Sequence, residues 1–372
     1  MKITDVRAHV LAAPLDEPIR MAFGAMHART TVLVEVVTSA GLSGWGESWV
    51  NFPPWAWRER VATIEEGLRP LLVGADPLAR DALWRRMYDA VVPMARQWGA
   101  IGPVMQALSG VDIALWDLEG RLRGVPIAEL LGGPAAGRVP AYASGLAPTD
   151  VVGKACRAVE AGFTMLKLKI GFGRETDLES VAAVRRAIGP GVALMVDANQ
   201  AWTPAETLEM GKFLADHDVR WLEEPVPSAD ERELVQVVGR AGVPIAAGEN
   251  VYGRHGFQRL LDARAVDIAQ PDVAKTGGIS EMRAIVALAT ARGTPWAPHF
   301  YGAALGAAAT CHCFAALPGG IAVEWDWNPN PLRDALIRGG FDVRDGTVAV
   351  PGGPGLGVEL DPEAVARFTV RR

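Results

Sequence analysis

The 372-residue sequence predicts an α/β protein built around a closed parallel (β/α) barrel, with a smaller α+β domain ahead of it. Three observations lead there. Strand-like and helical stretches alternate from about Arg138 onward, short apolar runs recur at a nearly constant interval, and charged or titratable residues end all but the first run. An open doubly wound sheet would show the same alternation but would gather ligands at one switch point. Functional groups at nearly every strand end fit a ring closed around a single site.

The first residues alternate in the strand manner, and Thr31 to Val37 (TVLVEVV) followed by GLSGWGES reads as a hairpin. Arg58 to Leu72, Pro77 to Val91 and Ile101 to Leu122 then carry apolar residues at helical spacing. Strands followed by clustered helices, without βα alternation, define an α+β domain over residues 1–125. Residues 126–330 hold the eight runs VPAYAS, MLKLKIG, VALMVDAN, RWLEEP, PIAAGE, VDIAQPD, TPWAPH and IAVEWD, the number a closed parallel barrel requires. Residues 331–372 carry turn signals and strand-like pieces without a further βα unit, and are expected to return to the N-terminal domain.

Composition excludes several classes of function. With 37 Lys+Arg against 43 Asp+Glu, the net charge of −6 offers no broad basic field for nucleic acid or an anionic membrane. Cys156, Cys311 and Cys313 form neither a disulfide framework nor a paired zinc motif, which fits a reducing, cytoplasmic setting. The N-terminus meets charges and prolines before an apolar core of signal-peptide length. Gly293 to Val323 lacks Asp, Glu, Lys and Arg, yet its prolines, its histidines and the Pro318-Gly319-Gly320 turn predict a buried strand, helix and strand rather than a membrane span.

The polar strand ends carry the chemistry. Lys169, Asp197, Glu223, Glu249, Asp272, His299 and Glu324 follow one another at intervals of 28, 26, 26, 23, 27 and 25 residues. In a parallel barrel, the C-terminal ends of the strands build the catalytic face, so these groups should converge. Asp197, Glu223 and Glu249, from consecutive strands, would offer carboxylate oxygens to a small hard cation, Mg²⁺ rather than zinc. Mutual repulsion among them means that the cation is also needed to make the arrangement tolerable. Glu224, next along an extended strand, should point away and be structural.

Lys167 and Lys169 share the inward face of their strand. Lys169 is the candidate base, and Lys167 a candidate for neutralising the carboxylates. Asp272 and His299, on adjacent strands about 5 Å apart, form a candidate proton-transfer dyad. Strand parity turns Asn199 toward the pocket as a substrate ligand. A protonated Glu324 would donate a hydrogen bond to an oxygen gaining charge. His312 is expected to be a satisfied helix residue. Asn199, Gln200, His255 and Tyr301 near strand ends could bind hydroxyls, with His27 and His255 on loops. Trp49, Trp55, Trp202, Trp296, Trp325 and Trp327 are candidates for packing against a substrate, although most tryptophans are core or rim residues.

The motifs LKLKI, MVDANQ, WLEEP, AAGEN, QPDVAKTGG, APH and VEWD resemble the enolase superfamily in its mandelate racemase subgroup, in which a Lys or His base works with Mg²⁺. GWGES and SGVDIALWDLEGRLRGVPIAELLGG resemble its capping domain, and PGLGVELD its returning C-terminal segment. The resemblance implies a modified (β/α)7β TIM barrel under a cap, a homo-oligomer, and mobile cap loops, here about Leu15–Thr30 and Ser48–Trp57, that choose a small carboxylate substrate. Related subgroups carry a lysine where Asp272 stands, which favours the His-Asp dyad. Lys275 sits three residues too late for that role and reads as a loop charge. KIGFGRETD, VRRAIGP, YGRHGF and NPLRDAL are similar to acid-sugar dehydratases and galactarolactone cycloisomerase, implying β-elimination from a sugar acid or lactone. Racemisation or epimerisation of an α-hydroxy acid, and non-catalytic binding of a sugar acid, are the alternatives.

Overall fold

The computed structural model describes residues 1–227 and 231–370. Antiparallel strands β1 (Ile3–Met21), β2 (Gly24–Thr38) and β3 (Ser43–Trp49) form the cap sheet in that order. Alternation puts Val6, Ala8 and Val10 of β1 with Val32, Val34 and Val36 of β2 in one core, closed by Leu108, Val111 and Leu115 of the helix Ile101–Arg123. β1 and β2 stay paired out to Met21 and Gly24, so the stretch Leu15–Thr30 is a hairpin arm and not the open loop expected; pairing within the arm is irregular between Pro14 and Ile19. A Cβ on Gly46 would lie 2.1 Å from the Gly110 carbonyl oxygen, so β3 and the helix touch backbone to backbone.

Parallel strands β4 (Gly137–Leu146), β5 (Met165–Lys169), β6 (Ala193–Asp197), β7 (Val219–Glu223), β8 (Ile245–Ala247) and β9 (Ile268–Ala269) follow in sequence order. β10 (Val323–Asp326) pairs with β4 and closes the ring. The seventh position shrinks to a bridge, in which Trp296 joins Ala269 on one side and Gly320 on the other. Pro295 and Pro298 flank it and lack the N–H groups a longer ladder would need. Tyr142, Met195, Trp221, Ala246, Ile268, Ala297 and Ala322, one from each of seven ring positions, pack together as the layer beneath the polar strand ends.

The C-terminal chain touches both units. A hairpin of Val343–Arg344 and Thr347–Val350 adds antiparallel to the start of β4. Farther on, Thr369 bridges Leu11, and Val370 N donates to Val10 O at 2.9 Å. No helix among the described residues is long and apolar enough to cross a membrane. The uncharged stretch Gly293–Val323 contains the Trp296 bridge and the helix Ala304–Ala316, buried through Cys313, and reaches the first residue of β10.

Polar cap side chains clasp the starts of two barrel helices, where backbone N–H groups lack helical partners. Glu47 accepts from Ala303 N (2.6 Å) and Gly306 N (2.7 Å) at the helix Ala304–Ala316. Ser109 accepts from Gly277 N at 2.8 Å, and Asp112 from Ser280 N at 2.9 Å, at the helix Gly278–Ala291. Burial pushes the carboxyls of Glu47 and Asp112 up to about 7, against the pull of these N–H groups.

Candidate active site

Strand parity explains why the polar groups converge. Lys167 and Lys169 alternate with Leu166 and Leu168, which face the outer helices, so both lysines point into the barrel. Asp197 and Glu223 close β6 and β7, and Glu249 follows β8 by two residues. Oxygens of these three carboxylates lie within 4.8 Å of one another. An all-carboxylate donor set of this size fits a hard divalent cation.

The chain supplies cations of its own. Lys167 Nζ, fully buried, donates to Glu223 Oε1 at 2.5 Å and stands 2.8 Å from Glu324 Oε1, while Lys169 pairs with Asp197. Burial alone would lower both lysines; Glu223 and Glu324 around Lys167, and Asp197 beside Lys169, outweigh it and hold them above their ordinary values. Burial pushes Glu223 up to about 7, against Lys167. Gln270, unremarked in the sequence, donates to Glu223 Oε2 at 2.5 Å; its place two residues before Asp272 was the available signal.

Asp272 and His299 come together at the barrel mouth. His299 Nδ1 lies 2.6 Å from Asp272 Oδ2, and Nε2 lies 3.1 Å from Glu249 Oε2. Ala274 N donates to the other Asp272 oxygen at 2.7 Å, so the Asp cannot swing away. Burial lowers the imidazole, but Glu249, Glu324 and Asp272 together raise it to about 9. Glu249 would be raised by burial, yet His299 and Lys275 hold it well below the carboxylate range.

Several expectations are corrected. Glu324 accepts from Phe300 N at 3.0 Å and from Ser144 Oγ at 2.5 Å. Burial raises its carboxyl, but Lys167 and His299 bring it down to about 2, so it is an ionised acceptor here and not the protonated donor expected. Glu224 has φ +35°, which ends the strand alternation and turns it into the pocket, where it meets Gln200 Nε2 (2.9 Å) and Asn250 Nδ2 (3.0 Å). Asn199 and Gln200 also have positive φ, so a left-handed turn rather than strand parity brings Asn199 to the pocket, with Nδ2 3.1 Å from Asp197 Oδ2.

Lys275 is no loop charge. It is buried, donates to Asn250 Oδ1 at 3.2 Å and sits 4.6 Å above the Trp49 ring. Tyr301 lines the pocket, whereas His255 is exposed beside a separate groove with Trp84 and Arg254. Of the six tryptophans proposed to pack against a substrate, only Trp49 and Trp55 line the pocket. His312 is satisfied as expected, between Ala128 N (3.3 Å) and Leu356 O (3.0 Å).

A barrel with three carboxylates, two lysines and an Asp-His pair at its mouth, roofed by an α+β cap, defines an enzyme of the enolase type. Residues 3–132 match the mandelate racemase/muconate lactonizing enzyme N-terminal domain, and residues 150–364 match the enolase C-terminal domain-like family. The chain belongs to that family. It is 38% identical to D-galactarolactone cycloisomerase of Agrobacterium fabrum over 99% of both chains, and 35% identical to arabinonate dehydratase of Saccharolobus solfataricus over 90% of both. Among solved structures, an enolase superfamily member from Polaromonas sp. JS666 superposes with TM-score 0.92 at 34% identity, covering 100% of this chain and 98% of that one. A racemase from Streptomyces coelicolor A3(2) with bound magnesium gives TM-score 0.90 at 30% identity, covering 99% and 100%.

Proposed function

We propose that this enzyme removes the proton next to the carboxylate of a sugar acid or its lactone and expels an oxygen from the following carbon, with Mg²⁺ held by Asp197, Glu223 and Glu249. The observation that carries this reading is the gathering of these carboxylates, within 4.8 Å, beside Lys169 and the Asp272-His299 pair. Mg²⁺ supplies positive charge where the enolate develops its negative charge. Residues 1–125 and 331–372 are the cap in this reading, and 126–330 the catalytic barrel.

The chain's own groups move the protons. Lys169 and His299 stand at the second and seventh ring positions, and each reaches the pocket. Lys169 or His299, in its neutral form, takes the α-proton; the His299 imidazolium, with Nδ1 tied to Asp272 and Nε2 3.1 Å from Glu249, then delivers its Nε2 proton to the departing oxygen. Lys167 and Glu324 lie beneath them as a buried pair that sets the local charge. Asn199 lines the pocket with a buried Oδ1 that has no protein partner, an acceptor suited to a substrate hydroxyl. The cycloisomerase and dehydratase relatives support elimination.

Racemisation of an α-hydroxy acid is the second reading, favoured by the aromatic side chains Phe23, Trp49, Phe52 and Trp55 on the pocket wall. Purified protein with Mg²⁺ in deuterated water, offered aldonates, aldarates, their lactones and simple α-hydroxy acids, separates the two. A 2-keto product from a sugar acid is expected. Deuterium uptake with inversion and no keto product would establish the racemase instead, and binding without either would leave a non-catalytic protein.

A further inference from the structure

Residues 297–303, between the Trp296 bridge and the helix Ala304–Ala316, form neither strand nor helix, although His299 lies among them. Side chains from other elements hold this backbone instead. Phe300 N donates to Glu324 Oε2 at 3.0 Å, and Ala303 N to Glu47 Oε1 at 2.6 Å. Tyr301 O accepts from Asn51 Nδ2 at 2.5 Å and from Trp49 Nε1 at 3.1 Å, and Gly302 O accepts from Asn330 Nδ2 at 2.8 Å. Of these partners, Glu47, Trp49 and Asn51 come from the cap. Tyr301 is buried, so removing a donor from its carbonyl leaves an oxygen that water cannot freely satisfy.

The side chain of Tyr301 continues the same connection. Its ring centroid lies 4.6 Å from the Arg29 guanidinium and 6.0 Å from Lys169 Nζ, both within the range of cation–π attraction. Arg29, on β2 of the cap, is itself fixed: it pairs with Asp326 and donates through Nε to Pro329 O at 3.3 Å. The Tyr301 hydroxyl accepts from Asn328 Nδ2 at 3.3 Å, and a Cβ on Gly145 would lie 3.3 Å from it. Burial and Asp326 push the phenol up to about 12, against Arg29 and Lys169, so it keeps its proton and is no base. With the hydroxyl engaged by Asn328, the ring and the carbonyl are the parts that act on the site. We infer that Tyr301 is a positioning residue: its ring holds Lys169, its carbonyl holds the loop that carries His299, and the cap reaches both proton-transfer groups through it.

The inference rests on Lys169 and His299 as the groups that move the proton, and adds what places them. A reacting group displaced by about 1 Å can lose roughly a hundredfold in rate, so contacts that fix two such groups act on kcat before they act on KM. Neither Arg29 nor Asn51 lines the pocket, so an effect of either on turnover passes through what it holds.

The test follows turnover and α-deuterium exchange, with Mg²⁺, on the acid that wild type converts fastest, in Tyr301→Leu, Tyr301→Phe and Asn51→Ala. Tyr301→Leu should lower kcat roughly 10- to 100-fold with KM kept within about threefold, whereas Tyr301→Phe, which retains ring and carbonyl, should stay within about threefold of wild type in both. Asn51→Ala should lower kcat about three- to tenfold and slow exchange on the His299 face of the α-carbon more than on the Lys169 face. A raised KM at wild-type kcat in Tyr301→Phe would make the hydroxyl a substrate ligand and overturn the positioning role, as would wild-type kcat in Tyr301→Leu. Equal slowing on both faces in Asn51→Ala, with a matching fall in melting temperature, would reduce that contact to general stability and overturn the cap's part. If wild type neither converts nor exchanges any acid, the sugar-acid reading falls, and the imidazole NMR signal of His299, located by its absence from His299→Asn, decides the position: a shift in Asn51→Ala and Tyr301→Leu but not in Tyr301→Phe supports the inference, and an unmoved signal overturns it.

Discussion

His299 is held at both ring nitrogens, by Asp272 at 2.6 Å and Glu249 at 3.1 Å, and lines the pocket. His299→Asn should bind Mg²⁺ as wild type does but lose proton transfer on one face of the α-carbon, with turnover down by about 10²- to 10⁴-fold. Stereospecific exchange of substrate deuterium, followed by NMR, measures this, and wild-type exchange on both faces would rule out the two-group model. At this scale, the recurring interval of 23 to 28 residues made Glu249, Asp272 and His299 legible beyond their strand ends, and strand parity made the lysines and the first two carboxylates legible. Lys167, Lys169, Asp197 and Glu223 obey parity because hydrogen-bonded neighbours keep the backbone extended. Glu224 escaped because its φ is +35°, and Lys275 because the turn after Asp272 brings its side chain back over the Trp49 ring. Neither event leaves a periodic trace.

β3 carries two features that bind the cap together and to the barrel. At Gly46 an added Cβ would meet Gly110 O at 2.1 Å and Ala114 N at 2.7 Å, both backbone atoms that cannot rotate aside. Gly46→Ala should therefore lower stability by about 1–3 kcal/mol or more, read as a fall in melting temperature. Next to it, Glu47 has its carboxyl raised by burial from 4.5 to about 7. The folded protein then holds a proton that the unfolded chain releases, so this group's stabilisation is full below pH 4.5 and is lost as pH rises to about 7. Glu47→Gln should gain on wild type across that window, by up to about 3 kcal/mol. Denaturant melts at pH 4.5, 6 and 7.5 check it, and a difference that does not change with pH would refute it. Elements were legible where periodicity was strong. The Trp296 bridge was read as a full strand because its apolar pattern survives although its prolines cut the ladder.

Across the whole molecule, the barrel's polar ring was legible because each strand brings its own terminal residue, whereas the pocket's other wall comes from residues 21–60 of the cap with Pro103 and Gln106, which only tertiary folding sets beside it. The charge arrangement of that ring bears on stability as well as catalysis. The sequence suggested that three close carboxylates need a metal to be tolerable, but Lys167 on Glu223 and Glu324, Lys169 on Asp197, and Gln270 on Glu223 already compensate them. Chelation should then abolish turnover while the protein keeps its circular dichroism and a cooperative melt. Mg²⁺ at 100 times its Kd should add about 2.7 kcal/mol. Lys167→Met removes the central cation and strands Glu223 and Glu324 without it, a loss of about 3–5 kcal/mol. Because the pair is fully buried, water cannot make up the difference. If that variant melts like wild type in chelator, the lysine does not neutralise the carboxylates, and if chelated wild type turns over fully, the metal has no part in the reaction.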